Sequence, residues 1–301
     1  MREITIIGLG QVGSNLAAQL LASRSVDQLD LLDQSDERAN GVATDLGDAY
    51  PDAAISSQDW TSVSRADVVV VALGKRDLLA ADRFGELTYN AQAIHALADK
   101  FADADFPGVV LNLANPNEAS TAFIQKEWRL QPKQTVGIGT VVDTARLRRT
   151  IADKLGLSYS AVTGFVDGQH DGNLVMPWST WRVNGQTLDH PVMGKTIDQQ
   201  QAAIESRMKG FTAIKGLQSD WTAMVVWAIR VINAILADAG TAYPLAINQP
   251  QFGGYVSFPV QIGRQGVGNY VLLPLDELEN GQIKVAANAI DTQLAAMQAS
   301  I

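Results

Sequence analysis

An apolar run, Ile4-Thr5-Ile6-Ile7, opens directly onto Gly8-Leu9-Gly10-Gln11-Val12-Gly13, and an amphipathic stretch from Gln11 to Ser23 follows. Three glycines at this spacing suit a strand that turns sharply and re-enters as a helix. The glycines permit the tight turn and a close approach of the backbone, and the first helical amides and the helix dipole face whatever sits at the turn. Such a terminus receives a pyrophosphate. Glycine-rich turns are common, so the second strand matters more. It ends in Leu31-Leu32-Asp33, twenty residues beyond Gly13, where a carboxylate accepts hydrogen bonds from both hydroxyls of an adenosine ribose. The plain reading of Asp33 is a strand-ending turn residue; the complete strand-turn-helix-strand context strongly favours the dinucleotide site. A carboxylate here repels a 2′-phosphate, and Gln34 and Ser35 bring no arginine, so NAD is expected rather than NADP.

The rest of the first half keeps the same rhythm. Apolar runs at Ile4 to Ile7, Leu29 to Leu32, Val68 to Leu73, Val109 to Leu113 and Val136 to Ile138 alternate with helical patterns at Gln11 to Ser23, Phe84 to Ala102 and Asn117 to Glu127. Runs apolar on both faces, such as Val68-Val69-Val70-Val71, suit strands covered by helices above and below. The expected fold class is α/β, a Rossmann doubly wound parallel sheet over residues 1–142. After about Asp143 the pattern changes to an α+β substrate domain, residues 143–301. Its helices are expected at Asp198 to Lys215, Trp221 to Asp238 and Lys284 to Ala299. Its strands are expected near Val162, Tyr255 to Ile262 and Tyr270 to Leu273, with a hairpin turn at Asn184-Gly185. No linker or repeat separates the halves, which places the active site between them.

Composition narrows the chemistry. The 301 residues contain no cysteine, which excludes disulfides, thiolate metal sites and cysteine nucleophiles. No stretch reaches the roughly 18 apolar residues of a membrane span, and the N-terminus shows no basic leader, so a cytoplasmic protein with no membrane partner is expected. A formal charge of -9 opposes binding to nucleic acid. Small anionic substrates must then be drawn by local arginines.

Few groups are placed to move a proton or hold an anion. His95 lies in a helical pattern and His190 precedes Pro191 in a polar loop, so both read as structural or surface residues. His170 sits in the glycine-bracketed turn Gly164-Phe165-Val166-Asp167-Gly168-Gln169-His170-Asp171-Gly172, where a ligand can approach the backbone. By itself a loop histidine is more often a solvated or hydrogen-bonded bystander. Asp143 and Arg146 project from one face of a helix that follows Gly139-Thr140; their plain readings are an N-cap and a surface charge. Arg83 follows a loop from Gly74 to Ala81, and its plain reading is a solvated cation at a helix start.

The combination resembles a known family. The glycine turn, Asp33, Asp82-Arg83-Phe84-Gly85-Glu86-Leu87, Asn112-Leu113-Ala114-Asn115-Pro116, Gly137-Ile138-Gly139-Thr140 with Asp143-Thr144-Ala145-Arg146, and Gly168-Gln169-His170 follow the order of the lactate and malate dehydrogenase superfamily over nearly the whole chain. Asp82-Arg83-Phe84, Gly139-Thr140 through Arg146, and Trp178-Ser179-Thr180-Trp181-Arg182-Val183 look most like the L-2-hydroxyisocaproate dehydrogenases of the lactate branch. The resemblance implies hydride transfer between NAD and a small 2-oxo or 2-hydroxy acid. It implies His170 as the proton carrier, Asp143 as the group that fixes its tautomer, and Arg146 as the clamp on the substrate carboxylate. Arg83 polarises the carbonyl from a closing loop, and Asn115 bonds near nicotinamide and substrate. Cofactor contacts fall at Gly8, Gly10, Gln11, Val12, Gly13, Asp33, Gly74 and Asn115, and the assembly is a homotetramer or dimer.

Three departures stand out. Gln169-His170-Asp171 replaces the family's usual Glu-His-Gly, and an added carboxylate favours the imidazolium if it faces the ring. Six residues before Arg83, where lactate enzymes carry glutamine and malate enzymes arginine, this chain has Asp77, followed by the apolar Leu78-Leu79-Ala80-Ala81. That favours aliphatic or aromatic 2-oxo acids such as 2-oxoisocaproate, then pyruvate, then oxaloacetate, although a slip in register to Arg76 restores malate-type recognition. Arg148 matches the arginine of enzymes activated by a sugar bisphosphate, but Thr163 stands at the matching histidine, so no such activation is expected.

Overall fold

The computed structural model describes residues 1–75, 78, 85–102, 106–170, 172–192, 194–217 and 221–301. In the first half strand and helix alternate: β1 (Glu3–Ile7), α1 (Gln11–Ala22), β2 (Gln28–Leu32), α2 (Asp36–Ala49), β3 (Ala54–Ser57), β4 (Val68–Val71), α3 (Leu87–His95), α4 (Ala98–Ala102), β5 (Val109–Asn112), α5 (Asn117–Glu127) and β6 (Thr135–Gly137). The strands pair in parallel in the order β3-β2-β1-β4-β5-β6. This is the expected doubly wound sheet, and its order reverses between β1 and β4. A crevice opens beyond the carboxyl ends of the strands at such a reversal. Val68–Val71 are wholly buried, which explains a run with no polar alternation.

The second half comprises α6 (Val141–Leu155), β7 (Val162–Thr163), β8 (Asp167–Gly168), β9 (Leu174–Val175), β10 (Arg182–Val183), β11 (Gln186–Thr187), α7 (Gln199–Leu217), α8 (Trp221–Leu236), β12 (Thr241–Gln249), β13 (Gly254–Gly263), β14 (Gly266–Tyr270) and α9 (Glu277–Gln298). Strand β12 meets β6 antiparallel at Ala246 opposite Gly137, and β13, β8 and β9 extend the same sheet. One apolar core therefore runs from Ile4 and Val70 through Val225 and Val256 to Ile290. A second, smaller core lies behind α6, built from Leu147, Ile151, Val162, Val166, Trp181 and Val183. The helix and strand mixture matches the α+β expectation, including the β10–β11 hairpin, whose Asn184 and Gly185 take φ of 48° and 81°.

Three local expectations need correction, and one long strand has no counterpart among them. The helix expected from Phe84 to Ala102 is broken after His95, with Phe84 itself outside the described residues. The indole of Trp128 donates to the Ile94 carbonyl at 2.9 Å, taking an acceptor that a continuous helix would use. The last strand ends at Tyr270 instead of starting there, because Gly266, at φ 89°, turns the chain back onto β13 earlier. The C-terminal helix starts at Glu277 rather than Lys284, since Asp276 and Glu279 form a reciprocal capping box. Strand β12 was not expected at all. Pro244 interrupts its pattern, and the structure tolerates it by setting Pro244 opposite Pro259, so the missing donors coincide.

Candidate active site

The glycine turn and Asp33 come together as the sequence implies. Gly8 has φ 94°, and a Cβ there would stand 2.7 Å from the Ala72 carbonyl oxygen, so only glycine lets β1 turn against the end of β4. The Leu9 amide donates to Asp33 Oδ2 at 2.7 Å and the Ser35 amide to Asp33 Oδ1 at 3.0 Å. The carboxylate is thereby fixed at the lip of the turn. Helix α1 begins at Gln11 with no side chain capping it and no acidic residue in its first turn. Its leading amides and positive dipole end stay available to an anion. The space beside Gly10 is open, Gln11 is exposed and Val12 is half-buried. These residues fit a dinucleotide: an anion-receptive helix end, a turn that admits a close approach, and a carboxylate placed for ribose.

Gly74 follows β4 and Asn115 follows β5, so both lie at the carboxyl edge of the sheet, where β1 also ends. A Cβ on Gly74 would stand 2.8 Å from Glu86 Oε1, which accepts from the Lys75 amide. The turn carrying Asn115 is built on buried amides. Asn112 Nδ2 donates to the Asn117 carbonyl and to Thr121 Oγ1, Asn117 Oδ1 accepts from the Gly139 amide, and Asn90 Nδ2 donates to the Asn115 carbonyl at 2.6 Å. This hub locks the β5 turn to the β6 turn.

From β6 the chain enters α6, whose N-cap is Thr140, so the N-cap reading of Asp143 is set aside. Thr140 Oγ1 instead donates to the Val166 carbonyl, and the Val166 amide donates to Thr144 Oγ1 at 2.9 Å. Two buried threonines thus tie the first turn of α6 to the strand leading into β8. That brings Asp143 and His170 face to face: His170 Nδ1 lies 2.7 Å from Asp143 Oδ2. Arg146, one turn on, places Nη1 3.6 Å from Asp143 Oδ1. The three side chains are largely buried, between 10 and 17 % exposed.

Burial alone would push Asp143 up, but the charge and hydrogen bond of His170 and the charge of Arg146 outweigh it and hold the carboxyl below its ordinary range. An ionised Asp143 accepts only, so the proton on Nδ1 is fixed and Nε2 is the ring nitrogen at which a proton can be exchanged with a ligand. The other histidines stand apart: His95 bonds Glu127 Oε2 at 2.7 Å with its side chain 55 % exposed, and His190 is exposed. Arg83, with Arg76, Asp77 and Asp171, lies outside the described residues.

Sequence reasoning missed two acids beside this site. Glu118, buried in the first turn of α5, accepts the His170 amide at 2.9 Å and the Ser257 hydroxyl at 2.6 Å. A glutamate at that helix position reads as a complement to the dipole, and nothing local marks it further. Asp167, in β8, is fully buried, and neither of its oxygens has a hydrogen-bond partner among the described residues. Its one visible signal is a charge in the run Phe165-Val166-Asp167.

Comparison with known proteins agrees with this geometry. Residues 2–137 match the family model of the lactate/malate dehydrogenase NAD binding domain, and residues 140–300 that of the lactate/malate dehydrogenase alpha/beta C-terminal domain. The L-lactate dehydrogenase of Lactobacillus delbrueckii subsp. bulgaricus is 28% identical, with 97% of this chain and 98% of that protein covered. That of Treponema denticola is also 28% identical, over 92% of each. Among solved structures, a minor L-lactate dehydrogenase from Enterococcus mundtii superposes with a TM-score of 0.90 at 21% identity, covering 98% of both chains. The lactate dehydrogenase of Cryptosporidium parvum, complexed with lactic acid and nicotinamide adenine dinucleotide, gives 0.85 at 22% identity, covering 99% of this chain and 98% of that one. With both halves matched and the dinucleotide cradle in place, the chain belongs to the lactate/malate dehydrogenase family of NAD-dependent oxidoreductases.

Proposed function

We propose that the protein is an NAD-dependent L-2-hydroxy acid dehydrogenase in which His170 carries the proton. The 2.7 Å pairing of His170 with a buried, ionised Asp143 one helical turn from Arg146 carries this reading. When bound, NAD supplies the hydride chemistry; Gly8, Gly10, Gln11, Val12, Gly13, Asp33, Gly74 and Asn115 hold it. During reduction of a 2-oxo acid, His170 gives its Nε2 proton to the carbonyl oxygen, and during oxidation it takes the hydroxyl proton back. Asp143 stabilises the imidazolium, and Arg146 grips the substrate carboxylate with its planar fork. Arg83 is assigned to polarising the carbonyl and Asn115 to a hydrogen bond near the reacting carbon.

The substrate ranking runs from 2-oxo acids with aliphatic or aromatic side chains, as in the L-2-hydroxyisocaproate dehydrogenases, to pyruvate and then oxaloacetate. Asp77 and the apolar Leu78-Leu79-Ala80-Ala81 support the first place, and the L-lactate dehydrogenase names of the relatives support pyruvate. Initial rates of NADH oxidation with 2-oxoisocaproate, phenylpyruvate, pyruvate and oxaloacetate test the order. The highest kcat/KM should fall on one of the first two; oxaloacetate as clearly the best substrate removes the ranking.

Arg146 rests against α7, where a Cβ on Gly210 would stand 3.0 Å from its Nη1 and 3.2 Å from its Cζ. Helix propensity favours alanine over glycine there by about 0.5–1 kcal/mol. Gly210→Ala is nevertheless expected to raise the KM for the 2-oxo acid about tenfold, less than the 10²-fold that a 1 Å misplacement costs, with NADH affinity retained. Steady-state kinetics and isothermal titration with NADH separate the two effects. Arg148 is engaged inside the fold, donating to the Gly164 carbonyl from Nε at 2.9 Å and from Nη2 at 2.7 Å, with Phe165 beneath it. Fructose 1,6-bisphosphate is therefore expected to leave the rate unchanged, and strong stimulation in the same assay would refute that.

A further inference from the structure

His170 is held by acids from two helices. Asp143 of α6 takes its ring, while Glu118 of α5 takes its main chain. Glu118 is 1 % exposed. Its Oε1 receives both the His170 amide and the hydroxyl of Ser257, a buried residue of β13 whose register partner is Gly168. Its Oε2 is buried with no hydrogen-bond partner among the described residues. One side chain thus joins α5, β13 and the turn after β8 at the residue assigned to proton transfer.

Holding an amide and a hydroxyl needs only a neutral oxygen, and a buried carboxylate costs far more than a carboxamide in the same place. What the acid adds is charge. Among the described residues, the other charged groups around the turn are few; Asp171, next in the chain, lies outside them. Arg146 stands beyond Asp143 on α6, and Asp167 of β8 faces Glu279 of α9. Gln169 is tied through its amide to Gln293 of α9.

We propose that Glu118 is a positioning residue for the proton carrier, fixing the main chain of His170 and, as a carboxylate, setting a second negative charge beside the imidazole that favours its protonated form. The proposal rests on the reading of His170 as that carrier. On balance burial holds Glu118 above its ordinary carboxylate range, against the charge of His170 and the two donors on Oε1, which pull it down. Acid and imidazole therefore titrate as a coupled pair, each ionisation supporting the other.

Histidine ring NMR on the full-length protein tests this without relying on turnover, because only His95, His170 and His190 contribute signals. Glu118→Gln keeps an oxygen to accept both donors and removes the charge. Its His170 titration midpoint should fall by about 0.5–1 unit, with His95 and His190 unmoved. Above that midpoint, the rate of 2-oxo acid reduction should fall by about 3- to 10-fold, the same shift read kinetically. Glu118→Asp, which keeps the charge and shortens the reach, should lower kcat while leaving the midpoint in place. Ser257→Ala removes a donor to the carboxylate, and it too should lower the midpoint. A wild-type His170 titration in Glu118→Gln, with only thermal stability lost, overturns the proposal and leaves Glu118 a structural clamp. If Glu118→Gln does not fold, an unmoved midpoint in Ser257→Ala overturns it instead. Full turnover by a His170→Asn enzyme would sink the carrier reading, and the ring titration judges Glu118 separately from that result.

Discussion

Exchanging His170 for asparagine is expected to lower kcat for 2-oxo acid reduction by about 10²–10⁴-fold, the usual contribution of a positioned general acid, while NADH still binds. The turn and carboxylate assigned to the pyrophosphate and ribose belong to the β1-α1-β2 unit, whereas His170 follows β8 in the second half of the chain. Asp143→Asn tests the next link. Asp143 is held below the ordinary carboxylate range, so it is ionised throughout the neutral region and its charge favours the imidazolium. Reduction needs the protonated ring, so its rate falls as pH rises through the His170 midpoint. Without the charge of Asp143 that midpoint moves down, and the loss in Asp143→Asn should be larger at pH 8 than at pH 6. Single-turnover NADH oxidation across that range measures both variants. Wild-type turnover by His170→Asn would remove the proton-carrier assignment, and a pH profile in Asp143→Asn that overlays the wild type would remove the electrostatic role of its partner.

The first of these sites is legible in sequence because its parts are close together. Gly8 to Gly13 and Asp33 belong to one β1-α1-β2 unit, so spacing along the chain is nearly spacing in the fold. Strand runs buried on both faces were equally plain. The proposed proton-transfer site is different: Asp143 and His170 lie 27 residues apart. Only the order of several separated motifs joined them, and the structure supplies the reason they meet, in Thr140 and Thr144 binding Val166. Glu118 lies 52 residues from His170 in another helix, where periodicity reports burial but not whose amide a carboxylate accepts. The break after His95 has the same origin, since it depends on an indole more than thirty residues away. Local rules failed at those points because the deciding partner was distant.

Asp167 leads to the largest expected effect on stability. Burial first, and then the negative charge of Glu279, push its carboxyl well above the ordinary range, and neither oxygen finds a donor among the described residues. Folding must therefore keep a proton that the unfolded chain releases near pH 4. The sign follows from linkage: above that point the native state binds more protons than the unfolded one, so stability falls as pH rises until the folded carboxyl itself ionises. The loss from this one group is about 1.4 kcal/mol per pH unit across the window. Asp167→Asn has no proton to retain, so it is expected to be more stable than the wild type, with a gain that widens from pH 5 to pH 7. Asp167→Leu, which also removes the unpaired polar atoms, should gain further if the strand admits its volume. Thermal unfolding followed by circular dichroism at several pH values reads the difference directly. The expected result is a Tm curve for Asp167→Asn that separates upward from the wild type as pH rises; two parallel curves would show that Asp167 is not the retained proton. Such a cost, three positions from the proposed proton carrier, would be a local rule broken beside the chemistry, where such costs tend to be kept.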